Sequence, residues 1–270
     1  MADRDTAFVG SIPEHYDRGL GPLLFTAYAE AMAARLAPHA GMRVLETACG
    51  TGIVTERLLG RLAGRGTLVA TDLNGPMLAY AAAKLRDVPH VEWKIADATD
   101  LPFEGGGFDA VVCQFGLMFF PDKAAGIREA FRVLQPGGRL LLSVWDRLDL
   151  NPAPRITHET VAEFIPEDPP QFYTIPFSLH DVAALQRLLE GEGFVDVRAE
   201  RLARTGTSPS PKDAAVGLIE GNPIFLTIME RRPDALAAIE AAIAERLTAA
   251  FGAGPIRPPL RAILLDARRP

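Results

Sequence analysis

The sequence has few of the residues that build disulfide frameworks or metal centres. Its 270 residues include only two cysteines, Cys49 and Cys113, and five histidines. Two cysteines cannot form a disulfide framework, and neither a CxxC nor an HExxH motif is present. We therefore predict no bound metal and a reducing, cytoplasmic environment.

Long apolar runs and blocks of like charge are also missing. No stretch reaches the roughly 18 apolar residues that a membrane-spanning helix needs, and residues 1–21 lack the pattern of a signal peptide. The net charge is −6, with no basic block, which argues against nucleic-acid binding. With 48% hydrophobic and 23% charged residues, the chain has the composition of a globular protein with an ample core. We expect neither a membrane span nor a nucleic-acid partner.

Apolar strand patterns alternate with helical patterns up to residue 146. Strands are expected at 43–48, 66–72, 91–97, 108–114 and 139–146, with helices near 53–62, 75–86 and 123–138 between them. This alternation predicts a parallel sheet covered on both faces. Two later strands, at 195–202 and 261–267, complete a Rossmann-like, doubly wound α/β fold whose seven-stranded, mostly parallel sheet ends in an antiparallel strand.

The regular pattern is interrupted after Asp146. Residues 151–178 contain six prolines and little periodicity, which indicates a lid-like insertion with one short helix. We divide the single domain into N-terminal cap helices (1–40), a cofactor-binding core (41–149), a lid insertion (150–180) and a C-terminal completion of the sheet with extra helices (181–270).

Acidic residues stand at the ends of the first three predicted strands. Glu46, Asp72 and Asp97 close these strands in turn, and the carboxyl ends of parallel strands line one ligand-binding crevice. Three carboxylates in one crevice repel a phosphate-rich ligand. They suit a ligand that carries hydroxyls, an amine and positive charge.

A glycine turn follows the first of these acids. Gly50 and Gly52 form a GxG turn between strand and helix, but Thr55 stands where a dinucleotide fingerprint has its third small residue. No Walker sequence is present. The turn therefore favours a nucleoside ligand without phosphate, although Asp72 is also near the distance at which a dinucleotide-binding acid grips ribose.

Four stretches together resemble the class I S-adenosylmethionine-dependent methyltransferases. They cover about residues 15–146 and read "VLETACGTG", "VATDLNGPMLAYAAAK", "IADATDLPFEGGGFDAVVCQFGLMFFPD" and "REAFRVLQPGGRLLLSVW". The resemblance is strongest to the small-molecule branch that includes the ubiquinone and menaquinone biosynthesis C-methyltransferases. It implies S-adenosylmethionine as cofactor, S-adenosylhomocysteine as product and a small-molecule methyl acceptor, and it is compatible with a homodimer.

The resemblance implies contacts between the glycine turn and the methionine part of the cofactor. Glu46 would face that part directly or through water, and Gly50 and Gly52 would let the backbone approach it. The sequence departs from the family pattern at Ala48, where a glycine usually stands.

The same resemblance implies contacts with the nucleoside. Asp72 would accept hydrogen bonds from both ribose hydroxyls, with Leu73 and Met77 packing near the adenine. Asp97 would accept one from the adenine amino group, and the Ala98 backbone N–H would reach a ring nitrogen.

Three further segments complete the implied site. The backbone of Gln114 would take the methionine ammonium, residues from Phe115 to Phe119 would form the floor toward the acceptor, and Tyr16 would close over the cofactor.

No residue stands out in the sequence as a general base. A sulfonium is already a good leaving group, so a base is needed only for a protonated, weak nucleophile. His158 in the proline-rich insertion and His15 beside Tyr16 are the candidates. The alternative is that no base is required.

The insertion contains apolar and aromatic residues that predict an apolar acceptor pocket, namely Phe164, Ile165, Phe172, Tyr173, Ile175 and Phe177. A small hydrophobic or aromatic metabolite is the expected acceptor, unless these residues only pack the insertion onto the sheet. Two other functions stay open: a nicotinamide-dependent oxidoreductase and a non-catalytic S-adenosylmethionine-binding module.

Overall fold

The computed structural model of the chain describes residues 8–270. Residues 1–7 of the predicted N-terminal cap (1–40) lie outside the described residues. From residue 8 onward, no helix is both long and apolar enough to cross a bilayer.

The centre of the fold is a seven-stranded sheet. In chain order its strands are β1 (Met42–Glu46), β2 (Gly66–Asp72), β3 (Val91–Ile95), β4 (Phe108–Gln114), β5 (Leu134–Trp145), β6 (Val195–Thr205) and β7 (Pro259–Arg268). The spatial order is β3-β2-β1-β4-β5-β7-β6, and β7 runs antiparallel to both of its neighbours. The predicted fold class, including the antiparallel last strand, is confirmed.

Helices cover the sheet, and additional helices lie in the C-terminal part of the chain. They are α1 (Ile12–His15), a π-helix (Tyr16–Phe25), α2 (Thr26–Arg35), α3 (Ile53–Leu62), α4 (Gly75–Lys84), α5 (Lys123–Val133), α6 (Pro152–Phe164), α7 (Val182–Gly191), α8 (Pro211–Glu220), α9 (Ile224–Arg231) and α10 (Leu236–Phe251). Short 3-10 turns lie at Leu117–Phe119, Leu148–Leu150, Phe172–Thr174 and Pro233–Ala235.

The central strands are buried because helices cover both faces of the sheet. Leu45, Val111 and Leu141 on β1, β4 and β5 are each at most 1% exposed. Burying one such side chain contributes about 1.5–3 kcal/mol. This core fixes the strand ends that carry the functional side chains.

Two helix predictions were wrong in detail, and two helical features were not predicted. The helix expected over 123–138 ends at Val133, and β5 begins at Leu134, because Gln135 precedes a proline and is therefore disfavoured in a helix. The insertion contains a 13-residue helix, α6, rather than a short one. The ten residues before α2 form a π-helix, and α9 was not predicted.

Candidate functional site

The carboxyl ends of β1, β2 and β4 bring Glu46, Asp72 and Gln114 to one edge of the sheet. Asp97 follows β3 after Ala96, whose backbone N–H donates to the Asp72 carbonyl at 3.1 Å. The structure thus places the three predicted acids along one crevice.

The turn after β1 needs a left-handed backbone at every second residue. Ala48, Gly50 and Gly52 have φ values of 53°, 55° and 76°. The Gly50 N–H donates to Asp72 Oδ2 at 2.7 Å, which ties the turn to β2. A Cβ on Gly52 would lie 3.1 Å from the Ala81 Cβ, so glycine there allows α3 and α4 to approach closely.

Gly116 leaves room for the side chain of Ala48, the residue that departs from the family pattern. A Cβ on Gly116 would lie 2.5 Å from the Ala48 Cβ and 2.8 Å from Cys113 Sγ. The missing side chain at Gly116 therefore leaves room for the alanine methyl group. The strain of a positive φ at Ala48 remains.

We predict that Ala48→Gly raises the free energy of unfolding by about 0.5–1 kcal/mol, because glycine adopts the left-handed region without the Cβ penalty. Ala63→Gly is the matched control, since Ala63 has a φ of 49°, is exposed and ends α3 outside the crevice. Urea unfolding of both variants measures the effect. A higher free energy of unfolding for Ala63→Gly together with a lower one for Ala48→Gly would show that the Ala48 methyl group stabilises the turn by packing.

Glu46 is the most buried of the three acids. Its side chain is 1% exposed, and its Oε2 has no hydrogen-bond partner in the described part of the chain. Burial raises the pKa of Glu46 to about 8, the Asp72 charge adds to this, and Thr55 opposes it. An unpartnered buried carboxyl oxygen is costly unless a ligand supplies a donor.

Asp72 and Asp97 each organise the loop beside them. Asp72 accepts from Gly50 N and from Asn74 N, both at 2.7 Å. Burial raises the pKa of Asp72, and these two N–H groups oppose the shift. Asp97 Oδ1 accepts from the backbone N–H and the hydroxyl of Thr99, at 2.8 and 2.7 Å. Each carboxylate is thereby held rigidly and retains capacity to accept further hydrogen bonds.

An exposed apolar surface adjoins these two acids. Leu73 and Ile95 are 66% and 61% exposed, which is unusual for large aliphatic side chains at strand ends. Met77 lies inside, 4% exposed, with its Cε 3.6 Å from the position of a Cβ on Gly50. Ala98 directly follows Asp97. This surface can cover the faces of a planar ring.

An aromatic cavity (the aromatic box) lies beyond the ends of β4 and β5. Phe115, which follows β4, stacks on Trp145, which ends β5, with ring centroids 4.0 Å apart. Phe25 and Phe177 pack against Trp145 at 6.1 and 5.6 Å. The remaining lining residues are Phe8, Tyr16, Leu24, Met118, Phe119, Pro154, Phe172, Tyr173, Pro176 and Asn222. Within residues 8–270, no charged side chain lines this cavity of about 50 Å³.

Tyr16 is one of the residues that line the aromatic box. Its ring stacks on Phe25 at 4.7 Å. Burial raises the pKa of its hydroxyl, and the charge of Asp72 raises it further. The tyrosine thus stays protonated at neutral pH.

Gln114 and Ser143 place buried polar atoms near the carboxyl ends of β4 and β5. They are register partners on β4 and β5, and their Oε1 and Oγ atoms are buried without partners among residues 8–270. Gln114 Nε2 donates to the Phe25 carbonyl at 3.4 Å. Sequence reasoning considered only the Gln114 backbone.

Neither of the two candidate histidines is among the residues that line the aromatic box. His15 Nδ1 is 2.8 Å from Glu220 Oε2. His158 lies on α6, and its Nδ1 is buried without a partner in the described chain. Neither lines the cavity, so a catalytic role for either stays a prediction.

Several residues of the site carried no recognisable signal in the sequence. Phe25 and Asn222 come from segments outside the four motifs, and only the packing of the N-terminal and C-terminal segments brings them to the cavity. Thr51 and Thr55 are fully buried, with unpartnered hydroxyls.

The fold and the strand-end acids define a Rossmann-like α/β protein with a nucleoside-type crevice. Comparison with known proteins narrows this class. The methyltransferase domain family matches residues 44–138. The ubiquinone/menaquinone biosynthesis C-methyltransferase of Proteus mirabilis (strain HI4320) is 34% identical over 168 residues, which cover 57% of this chain and 67% of the relative. The demethylmenaquinone methyltransferase of Clavibacter sepedonicus is 41% identical over 107 residues, covering 40% and 42%.

Solved structures show the same fold. A Haemonchus contortus phosphoethanolamine N-methyltransferase 2 in complex with S-adenosyl-L-methionine gives a TM-score of 0.63 at 17% identity, covering 98% of this chain and 59% of that one. A putative methyltransferase from Bacillus halodurans C-125 gives 0.57 at 24%, covering 91% and 98%. The chain belongs to the class I S-adenosylmethionine-dependent methyltransferases. It is a methyltransferase, and its cofactor is S-adenosylmethionine.

Proposed function

We propose that the protein transfers the methyl group to a small, uncharged aromatic metabolite bound in the aromatic box. The observation that carries this proposal is the cavity lining, which is aromatic and free of charged side chains across the described residues. Such a lining favours a flat apolar ring and disfavours an ion, since a buried charge without a partner is costly. Family membership favours methyl transfer over the nicotinamide alternative.

The crevice residues fit the cofactor because they include buried acceptor atoms that have no donor in the described part of the chain. Glu46 Oε2 and Gln114 Oε1 are buried acceptors without donors, and they would take the cofactor ammonium together with the Gln114 backbone. Asp72 would hold the ribose hydroxyls. Glu46 gains a cationic partner that stabilises its ionised form.

The residues proposed to surround the adenine also fit the cofactor by their chemistry. Leu73 and Met77 would pack on the ring, Asp97 would accept from its amino group, and the Ala98 N–H would reach a ring nitrogen. Ala48, Gly50 and Gly52 leave the backbone of the turn open to the ligand. Tyr16 and Phe115 would lie beside the junction between the cofactor and the acceptor and exclude water from it.

The bound cofactor supplies an electrophilic methyl group on a positively charged sulfur. The protein's contribution is to orient the acceptor and to keep water out, which can supply several kcal/mol of the barrier. The two cavity tyrosines stay protonated because burial raises their pKa values. Since no histidine or carboxylate lines the cavity in the described part of the chain, we propose that the acceptor reacts as a neutral, electron-rich nucleophile without a protein base, and that the proton it loses on methylation passes to solvent.

The names of the matching relatives are compatible with this acceptor class. Both relatives act in quinone methylation according to their names, and a quinol ring is a flat, uncharged aromatic. We propose quinol-like or other hydroxylated aromatic metabolites as the first acceptors to examine.

A methyl-transfer assay with labelled S-adenosylmethionine tests the proposal. We expect labelled product from hydroxynaphthalenes and from hydroquinones, and none from phosphoethanolamine. Labelling of phosphoethanolamine alone would overturn the acceptor class. Tight binding of S-adenosylhomocysteine with no labelled product from any aromatic would favour a non-catalytic binding module.

A further inference from the structure

One neutral polar side chain, Asn222, interrupts the apolar lining of the aromatic box. It is 6% exposed and lies between α8 and α9. Apart from Asn222, the polar groups of the described lining side chains are the hydroxyls of Tyr16 and Tyr173 and the indole N–H of Trp145, and all three can donate a hydrogen bond.

The amide of Asn222 is held in one orientation. Its Nδ2 donates to the Leu218 carbonyl at 3.1 Å and to the Tyr173 hydroxyl at 3.3 Å. A flipped amide would place Oδ1 against the Leu218 carbonyl, which can only accept. The amide nitrogen therefore faces the protein at this position.

The other polar atom of the Asn222 amide, Oδ1, can only accept a hydrogen bond. Among residues 8–270, Asn222 Oδ1 receives no hydrogen bond, and the Tyr173 hydroxyl donates its proton to the Leu218 carbonyl at 2.7 Å. The Asn222–Tyr173 pair thus has one oxygen available to a ligand and no spare N–H or O–H. A ligand without a donor would leave that oxygen desolvated and unpaired.

We infer that Asn222 Oδ1 selects methyl acceptors that carry a hydroxyl or N–H donor on the aromatic ring. This inference rests on the proposed acceptor class and adds a specificity-determining residue to it. A site built to bind a ligand donor discriminates strongly against an analogue that lacks it. A hydrocarbon or a methyl ether of the same shape is then a poor ligand.

A matched ligand pair tests the inference by calorimetry. The pair is 2-naphthol and 2-methoxynaphthalene, titrated into the protein with and without S-adenosylhomocysteine. We expect the wild-type protein to prefer 2-naphthol by about tenfold, the factor that one hydrogen bond supplies. We expect Asn222→Leu to bind both ligands equally.

Two controls separate recognition from structure. Asn222→Leu replaces the amide with an apolar side chain of the same branching and leaves the Leu218 carbonyl its Tyr173 donor, and Asn222→Ala serves if the larger leucine does not pack. Tyr173→Phe removes a contact of the same carbonyl but keeps Asn222 Oδ1, so it should retain the preference. A preference that survives both Asn222 variants, or that is lost equally in Tyr173→Phe, would overturn the inference. Failure of S-adenosylhomocysteine to bind would instead count against the proposed function.

Discussion

Replacing Asp72 with alanine is expected to lower the affinity for S-adenosylhomocysteine by at least about 100-fold, or roughly 2.7 kcal/mol. The carboxylate accepts from Gly50 N and Asn74 N, each at 2.7 Å, so its loss loosens the glycine turn. It would also leave two ribose hydroxyls without their charged acceptor, and each such bond contributes about 1.5–3 kcal/mol.

A second aspartate provides the matched control for this substitution. Asp181 caps α7 by accepting from the Ala184 N–H at 3.1 Å, outside the crevice. Asp181→Ala should lower the free energy of unfolding by about 1 kcal/mol and leave the affinity unchanged. Calorimetric titration of S-adenosylhomocysteine into both variants makes the comparison. Equal affinities for Asp72→Ala and wild type would remove Asp72 from the site.

The pH dependence of ligand affinity should depend on Glu46. Burial raises its pKa to about 8 from an ordinary 4.5, so in the free protein the carboxyl stays largely protonated below pH 8. A ligand ammonium favours the ionised form, so binding releases a proton below that pH. The affinity for S-adenosylhomocysteine should rise with pH between 6 and 8, by at most about tenfold per unit.

The stability of the free protein should change in the opposite direction. The unfolded chain releases the Glu46 proton near pH 4.5, whereas the folded chain keeps it up to about pH 8. Because the folded state binds more protons in this window, the free energy of unfolding falls as pH rises, by at most about 1.4 kcal/mol per unit. Below the window this contribution is fully present.

Glu46→Gln tests both statements because it removes the titration while keeping the side-chain shape. Titrations at pH 6, 7 and 8 should give a flatter affinity profile for the variant than for wild type. Urea unfolding of the two proteins should likewise show a smaller pH slope in the variant. Parallel profiles for the two proteins would show that Glu46 does not titrate in the crevice.

The sequence predicted the elements whose signals are local. The bounds of α3, β2 and β4 match the expected 53–62, 66–72 and 108–114, because apolar patterning and turn residues mark these elements within a few positions. The acids at the strand ends followed from the same patterns. The acids are expected at one edge of the sheet because the carboxyl ends of parallel strands lie together there.

The acceptor side could not be predicted in the same way. Phe25 lies in a π-helix and Asn222 in a turn between two short helices. The sequence pattern places Phe25 on the apolar face of a helix, but it does not indicate that either residue reaches the cavity. Their placement depends on close backbone contacts between distant segments, since a Cβ on Gly19 would lie 2.9 Å from the Gly217 Cα. Such contacts are properties of the folded chain.

The most direct test of the proposed site is a crystal structure of the protein with S-adenosylhomocysteine. We expect the ribose hydroxyls within hydrogen-bond distance of the Asp72 carboxylate and the ligand amino group beside Glu46 Oε2. The sulfur should face the aromatic box at Phe115 and Tyr16. A ligand whose ribose contacts neither Asp72 oxygen, or whose sulfur faces away from the box, would contradict the account.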